Sequence, residues 1–151
     1  MGVIGMSFIY QKSICSDLED IKITIQDVVN KLRLIIKDED LIFDIRLILN
    51  ELVINSAIHG NKGNKNKTVE LYLELEGDTL KIEIEDQGQG IDYDIKSYDP
   101  WDLKCCGRGL VLVDGLSDKF YIEKNRVEVV KYICKMAGNT HPAIKFLLSF
   151  R

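Results

Sequence analysis

Glu51, Asn55 and His59 are polar residues spaced by four within an otherwise apolar helical pattern. At about 100° per residue a step of four drifts only about 40°, so a helix carries all three on one face, where they can converge on one ligand. Asp86 is a second candidate. It continues the alternation Leu80, Ile82, Ile84, which sets a carboxylate on a buried face where an unpaired charge is costly and a donor is required. Gly88 and Gly90 follow, and glycines permit positive φ and close approach of a ligand to the backbone. A strand-end carboxylate beside two glycines suits a flat, amine-bearing ring such as adenine; it also suits an aspartate that caps a hairpin turn. The third candidate is Gly107-Arg108-Gly109-Leu110, which opens a helix. Free amides at a helix start attract anions, glycines let phosphate oxygens approach, and Arg108 adds a bidentate charge contact. Each pattern is short, and it is their order and separation that is specific.

Two helices and a hairpin must position these residues. Ser16-Asp17-Leu18-Glu19 reads as a capping box, and Leu18, Ile21, Ile25, Val28, Leu32 and Ile35 then form one helical stripe ending near Lys37. After the acidic turn Asp38-Glu39-Asp40, the stripe Ile42, Ile45, Leu49, Leu52 and Ser56 marks a second helix that stops at Gly60. Residues 61–67 are polar and rich in turn formers, which predicts a surface loop with its three lysines in solvent. Val69 to Leu75 and Leu80 to Ile84 alternate strictly around Gly77-Asp78, the pattern of an antiparallel hairpin with one buried and one acidic face.

Residues 92–106, with Pro100 and Trp101, lack a sustained period and suit a loop or lid. A short helix over 108–117 and strands over 119–123 and 127–134 follow, with one further strand over 6–14. The apolar run Ile144 to Phe150 fits either a docking helix or a strand. Grouped helices against grouped strands imply an α+β two-layer sandwich, a mixed, mostly antiparallel sheet covered on one face by helices.

The 151 residues suit one domain, 1–151, with a core over about 6–134 and a C-terminal extension over 135–151. A composition 46% hydrophobic and 29% charged is that of a folded protein rather than a disordered one. Twenty Lys and Arg against 24 Asp and Glu give a formal charge of -4, which argues against non-specific nucleic-acid binding. The apolar runs fall far short of the roughly 20 residues that span a bilayer, and the N-terminus matches neither a signal peptide nor a myristoylation site. Cys15, Cys105, Cys106 and Cys134 form no CxxC pair, so reduced thiols in the cytoplasm and no zinc site are expected.

Taken together, Glu51-x-x-x-Asn55-x-x-x-His59-Gly60, Asp86-Gln87-Gly88-Gln89-Gly90 and Gly107-Arg108-Gly109-Leu110-Val111-Leu112-Val113, with Leu116 and Asp118, resemble the GHKL-type, histidine kinase-like ATPase domain with its Bergerat-type ATP-binding fold. Within it the chain is most similar to bacterial anti-sigma-factor serine/threonine-protein kinases of partner-switching systems, over roughly residues 6–134.

The resemblance implies ATP and Mg²⁺ as cofactors. By the family pattern Glu51 is the general base, Asn55 the Mg²⁺ ligand and Asp86 the acceptor of the adenine amino group. Gly88 and Gly90 shape the floor under the base, Gly107, Arg108 and Gly109 hold the phosphates, and His59 stands at the site edge or makes a structural contact. It also implies phosphorylation of an antagonist protein, sequestration of a sigma factor and a homodimeric binding form. The place of residues 92–106 between the two glycine clusters separately predicts a lid that a γ-phosphate orders through Arg108 and that ADP does not. Two departures stand out. Cys106 replaces a glycine common in the phosphate loop, and Asn125-Arg126 replaces a Gly-Thr at the start of the last strand. The alternatives are a nucleotide-responsive binding module without turnover, and a detached histidine-kinase ATPase domain, which the scarcity of histidines (His59 and His141) disfavours.

Overall fold

Residues 7–90 and 107–133 are described by the computed structural model. Their elements run β1 (Ser7–Cys15), α1 (Leu18–Arg33), α2 (Glu39–Asn55), a π-helical turn (Ser56–Gly60), β2 (Thr68–Glu76), β3 (Thr79–Glu85), α3 (Gly107–Leu116), β4 (Lys119–Glu123) and β5 (Arg126–Tyr132). The five strands form one sheet in the order β1-β2-β3-β5-β4, and every pairing is antiparallel. The expected lid over 92–106, Cys105, Cys106, Cys134, His141 and the extension 135–151 lie outside the described residues.

Alternation decides which face of the sheet is covered. Val69, Leu71, Leu73 and Leu75 of β2 and Leu80, Ile82 and Ile84 of β3 are buried, with Leu75 opposite Leu80 and Leu71 opposite Ile84. The hairpin turns at Gly77, whose φ of +61° suits a residue without a Cβ. Against this face pack Ile21, Ile25, Val28 and Leu32 of α1 and Ile42, Ile45, Leu49 and Leu52 of α2, in a single hydrophobic cluster with Leu110, Val113 and Leu116 of α3. The fold is therefore the α+β arrangement expected.

Several details differ from the sequence reading. The capping box does not form: the Ser16 hydroxyl donates to Lys67 O at 2.9 Å and accepts from Asn61 Nδ2, and the N-cap is Asp17, whose side chain caps nothing. Leu18 is exposed rather than part of the buried stripe, and α1 ends at Arg33; beyond it Ile36 is buried in the core and Ile35 packs against the core half-buried. The cap the sequence hid is Asp38, whose carboxylate accepts from Asp40 N and Leu41 N to start α2. No helix of the described residues is long and apolar enough to cross a membrane.

Candidate functional site

The last turn of α2 widens after Asn55. Asn61 N donates to Ser56 O at 2.8 Å, a bond spanning five residues, so the segment after Asn55 is offset from where an α-helix would carry it. Glu51 and Asn55 stay on the α-helical part and face the start of α3. A Cβ built on Gly109 would collide with Glu51 Oε2 and lie 3.2 Å from Asn55 Nδ2. Glycine at 109 is therefore what lets α3 close against both side chains. His59, beyond the offset, is exposed and lines a different cavity with Gly60, Lys62, Lys67, Gln87, Gly88, Gln89 and Gly90, of about 530 Å³.

Asp86 lies behind that second region, its carboxylate against Gly60 and Gly88 of the lining. It is 4% exposed, on the buried parity of β3 as its sequence position required. Its donors are Gly88 N, at 2.8 Å to Oδ1, and the Ser56 hydroxyl. Burial raises the Asp86 pKa above the usual carboxylate range, against the opposing pull of the Gly88 amide, the Ser56 hydroxyl and the Lys67 charge. The Asp86 backbone is fixed from the far side: Asp86 N donates to Asn125 O at 3.1 Å, and Asn125 Nδ2 donates back to Asp86 O. The residue that departs from the Gly-Thr pattern thus clamps the strand end that carries the carboxylate.

Backbone approach in this region is as close as the glycines suggested. A Cβ on Gly88 would meet Gly60 O and stand 2.9 Å from Asp86 Oδ1. Gly90 has φ +97° and packs against the Lys124 backbone. Arg108, in the first turn of α3, is exposed and available to an anion.

The loop over 61–67 is more than a solvated connection. Asn61 is fully buried, and its Nδ2 donates to Ser16 Oγ at 3.0 Å and to Thr68 O at 2.9 Å, while its Oδ1 accepts from Gln87 N at 2.8 Å. It ties the start of α1, the start of β2 and the Asp86–Gly90 loop together. Of the three lysines expected in solvent, Lys62 and Lys65 are exposed and Lys67 is half-buried, and Lys62 and Lys67 also border the cavity. Ser56, Asn61 and Asn125 are the site residues that sequence reasoning missed. Ser56 carried a usable signal, being the one hydroxyl in an apolar stripe.

Asn55 supplies a test of whether a cation fits. Its Nδ2 is buried and has no hydrogen-bond partner among the described residues. The two ends of a carboxamide exchange by rotation, so an oxygen can be presented at the same place beside Glu51 and the start of α3. No group of three or more His, Cys, Asp or Glu among the described residues could hold a metal ion alone. A hard cation at Asn55 would share its ligands with phosphate oxygens and water, as Mg²⁺ does.

The family described as "Histidine kinase-like ATPase domain" matches residues 14–132. An "Anti-sigma F factor" of Clostridium acetobutylicum is 30% identical over 97 residues, covering 61% of this chain and 67% of that protein. A "Serine-protein kinase RsbW" of Staphylococcus aureus is 31% identical over 109 residues, covering 64% of this chain and 69% of that protein.

Proposed function

The chain belongs to the histidine kinase-like ATPase domain family, and from that premise we propose that it is an ATP-dependent protein serine kinase that phosphorylates an antagonist protein and sequesters a sigma factor. The names of its relatives, an anti-sigma F factor and a serine-protein kinase, support both halves of the reading. The observation that carries it is the meeting of Glu51 and Asn55 with the start of α3 at Gly109, which brings a carboxylate to the place where a helix start would hold a phosphate.

Each residue then has a chemical task. The Asp86 carboxylate accepts from the adenine amino group, Gly88 and Gly90 let the base lie against the backbone, and His59 borders the cavity. Arg108 and the first amides of α3 hold the phosphates and offset their charge. Asn55 would hold the Mg²⁺, which when bound supplies charge neutralisation on the phosphate oxygens. Glu51 accepts the proton of the attacking serine hydroxyl as the serine oxygen bonds to the γ-phosphorus and the bond to the ADP oxygen breaks.

The test is mass spectrometry of an antagonist protein co-expressed with the wild-type chain or with Glu51→Gln. The reading expects phosphoserine with the wild type and none with the variant. An antagonist that binds the chain but never acquires phosphate would leave the nucleotide-responsive binding module as the function.

A further inference from the structure

At the end of the α2–α3 contact remote from Gly109 lies a buried charge that the nucleotide chemistry does not use. Val127, Val129 and Lys131 alternate onto the inward face of β5, and Lys131 is fully buried there. Its Nζ donates to Leu116 O at 2.7 Å and stands 3.4 Å from Asp44 Oδ2, on a carboxylate only 2% exposed as a residue. Two desolvated charges are a poor source of stability, since apolar replacements of similar volume are often neutral or stabilising. The geometry offers another reason for the pair.

Leu116 closes α3, so its carbonyl is one of the acceptors a helix end leaves without an intrahelical donor, at the negative end of the helix dipole. Lys131 satisfies it. Asp44 belongs to α2 and precedes Glu51 by seven residues, and Leu116 follows Gly109 by the same seven. Seven residues are about two turns, roughly 10 Å, on either helix. The two helices are thus pinned at two matched points: Asp44–Lys131–Leu116 at one end, and Glu51 and Asn55 against Gly109 at the other.

We propose that Lys131 and Asp44 are positioning residues that set the axial register of α3 on α2, and so fix the distance of Arg108 and Gly109 from Glu51 and Asn55. The proposal rests on the reading of that junction as the phosphate site. A shift of α3 along its axis would move the phosphate-holding amides and leave the Asp86–Gly88 region, on other elements, where it is.

The test compares AMP and Mg·ATP binding, by NMR titration, in the wild type and in the double variant Lys131→Met/Asp44→Leu, which removes both charges and leaves neither orphaned. The expected result is a folded protein whose AMP affinity is unchanged and whose gain in affinity from AMP to ATP falls about tenfold or more. Unchanged affinity for both nucleotides in the folded variant would overturn the proposal and leave the kinase reading standing. Equal weakening of AMP and ATP would overturn it too, as the mark of a merely structural role. A wild type that binds neither would overturn the nucleotide reading on which it rests. Should the double variant not fold, Asp44→Glu keeps both charges and lengthens the bridge by one methylene. It is expected to give a smaller loss confined to ATP, and no such loss would count against the proposal.

Discussion

The Asp86 carboxylate fills the space that a side chain at residue 60 would need. A Cβ on Gly60 would overlap the carboxylate, with even the farther oxygen, Oδ1, only 2.8 Å away. The end of the α2 segment and the end of β3 can meet only because residue 60 has no side chain. Gly60→Ala should therefore displace Asp86, a short side chain already held by Gly88 N and Ser56. The expected cost is about 1–3 kcal/mol of stability in denaturant unfolding, together with loss of ATP binding in calorimetry.

Gly109→Ala should behave differently. The obstacle there is the far end of the Glu51 side chain, which can swing aside, and alanine is favoured over glycine within a helix by roughly 0.5–1 kcal/mol. Unfolding should show stability unchanged or slightly raised, while phosphoryl transfer falls about tenfold or more as Glu51 is moved. A drop in stability with unchanged transfer would contradict this.

Asp86 makes both binding and stability depend on pH. Its folded-state pKa is raised, chiefly by burial, so over the window from the ordinary carboxylate pKa of about 4 up to the raised value the folded state binds more protons than the unfolded one. This group's contribution to stability is accordingly greatest at low pH and declines as pH rises through the window. ATP binding runs the other way, weakening as pH falls and the carboxyl loses its acceptor character. Asp86→Asn should flatten this part of the stability profile, which unfolding across the window in wild type and variant would measure.

Glu51→Gln keeps the shape of the side chain and removes the proton acceptor. Nucleotide affinity should stay within about twofold, while turnover falls by about 10²- to 10⁴-fold, the usual worth of a positioned base. Single-turnover measurement separates the two effects.

Asn61→Ala would leave the part-buried Gln87 amide and Thr68 carbonyl short of a partner and take a donor from the buried Ser16 hydroxyl. Chemical unfolding should register a loss of about 2–4 kcal/mol.

What was legible in the sequence was whatever obeyed a period. The strict alternation from Val69 to Ile84 fixed the hairpin and the inward parity of Asp86, and the stripe from Ile42 to Leu52 located α2. Local capping was less legible, because competing partners decide it. Ser16 has the right type for a capping box, but Lys67 O and Asn61, distant in sequence, engage its hydroxyl. Asn61 read as a loop residue because its three partners, Ser16, Thr68 and Gln87, lie on separate segments that only the fold brings together. Lys131 sat in an apolar alternation that gave no hint of Leu116 or Asp44. The offset that parts His59 from Glu51 and Asn55 comes from a π-helical turn, which has no signature in a pattern of steps of four.

One calorimetric series tests the nucleotide site most directly: ATP, with and without Mg²⁺, titrated into wild type, Asp86→Asn and Asn55→Ala. An amide at 86 turns a donor toward the adenine amine or loses part of the acceptor set, and the loss of a buried hydrogen bond to a charged group is worth about 1.5–3 kcal/mol, roughly a tenfold to hundredfold weakening. That weakening should appear with and without Mg²⁺. Asn55→Ala should lose only the Mg²⁺-dependent part. A folded Asp86→Asn protein that binds ATP as tightly as the wild type would contradict the placement of adenine, and with it the arrangement of the whole site.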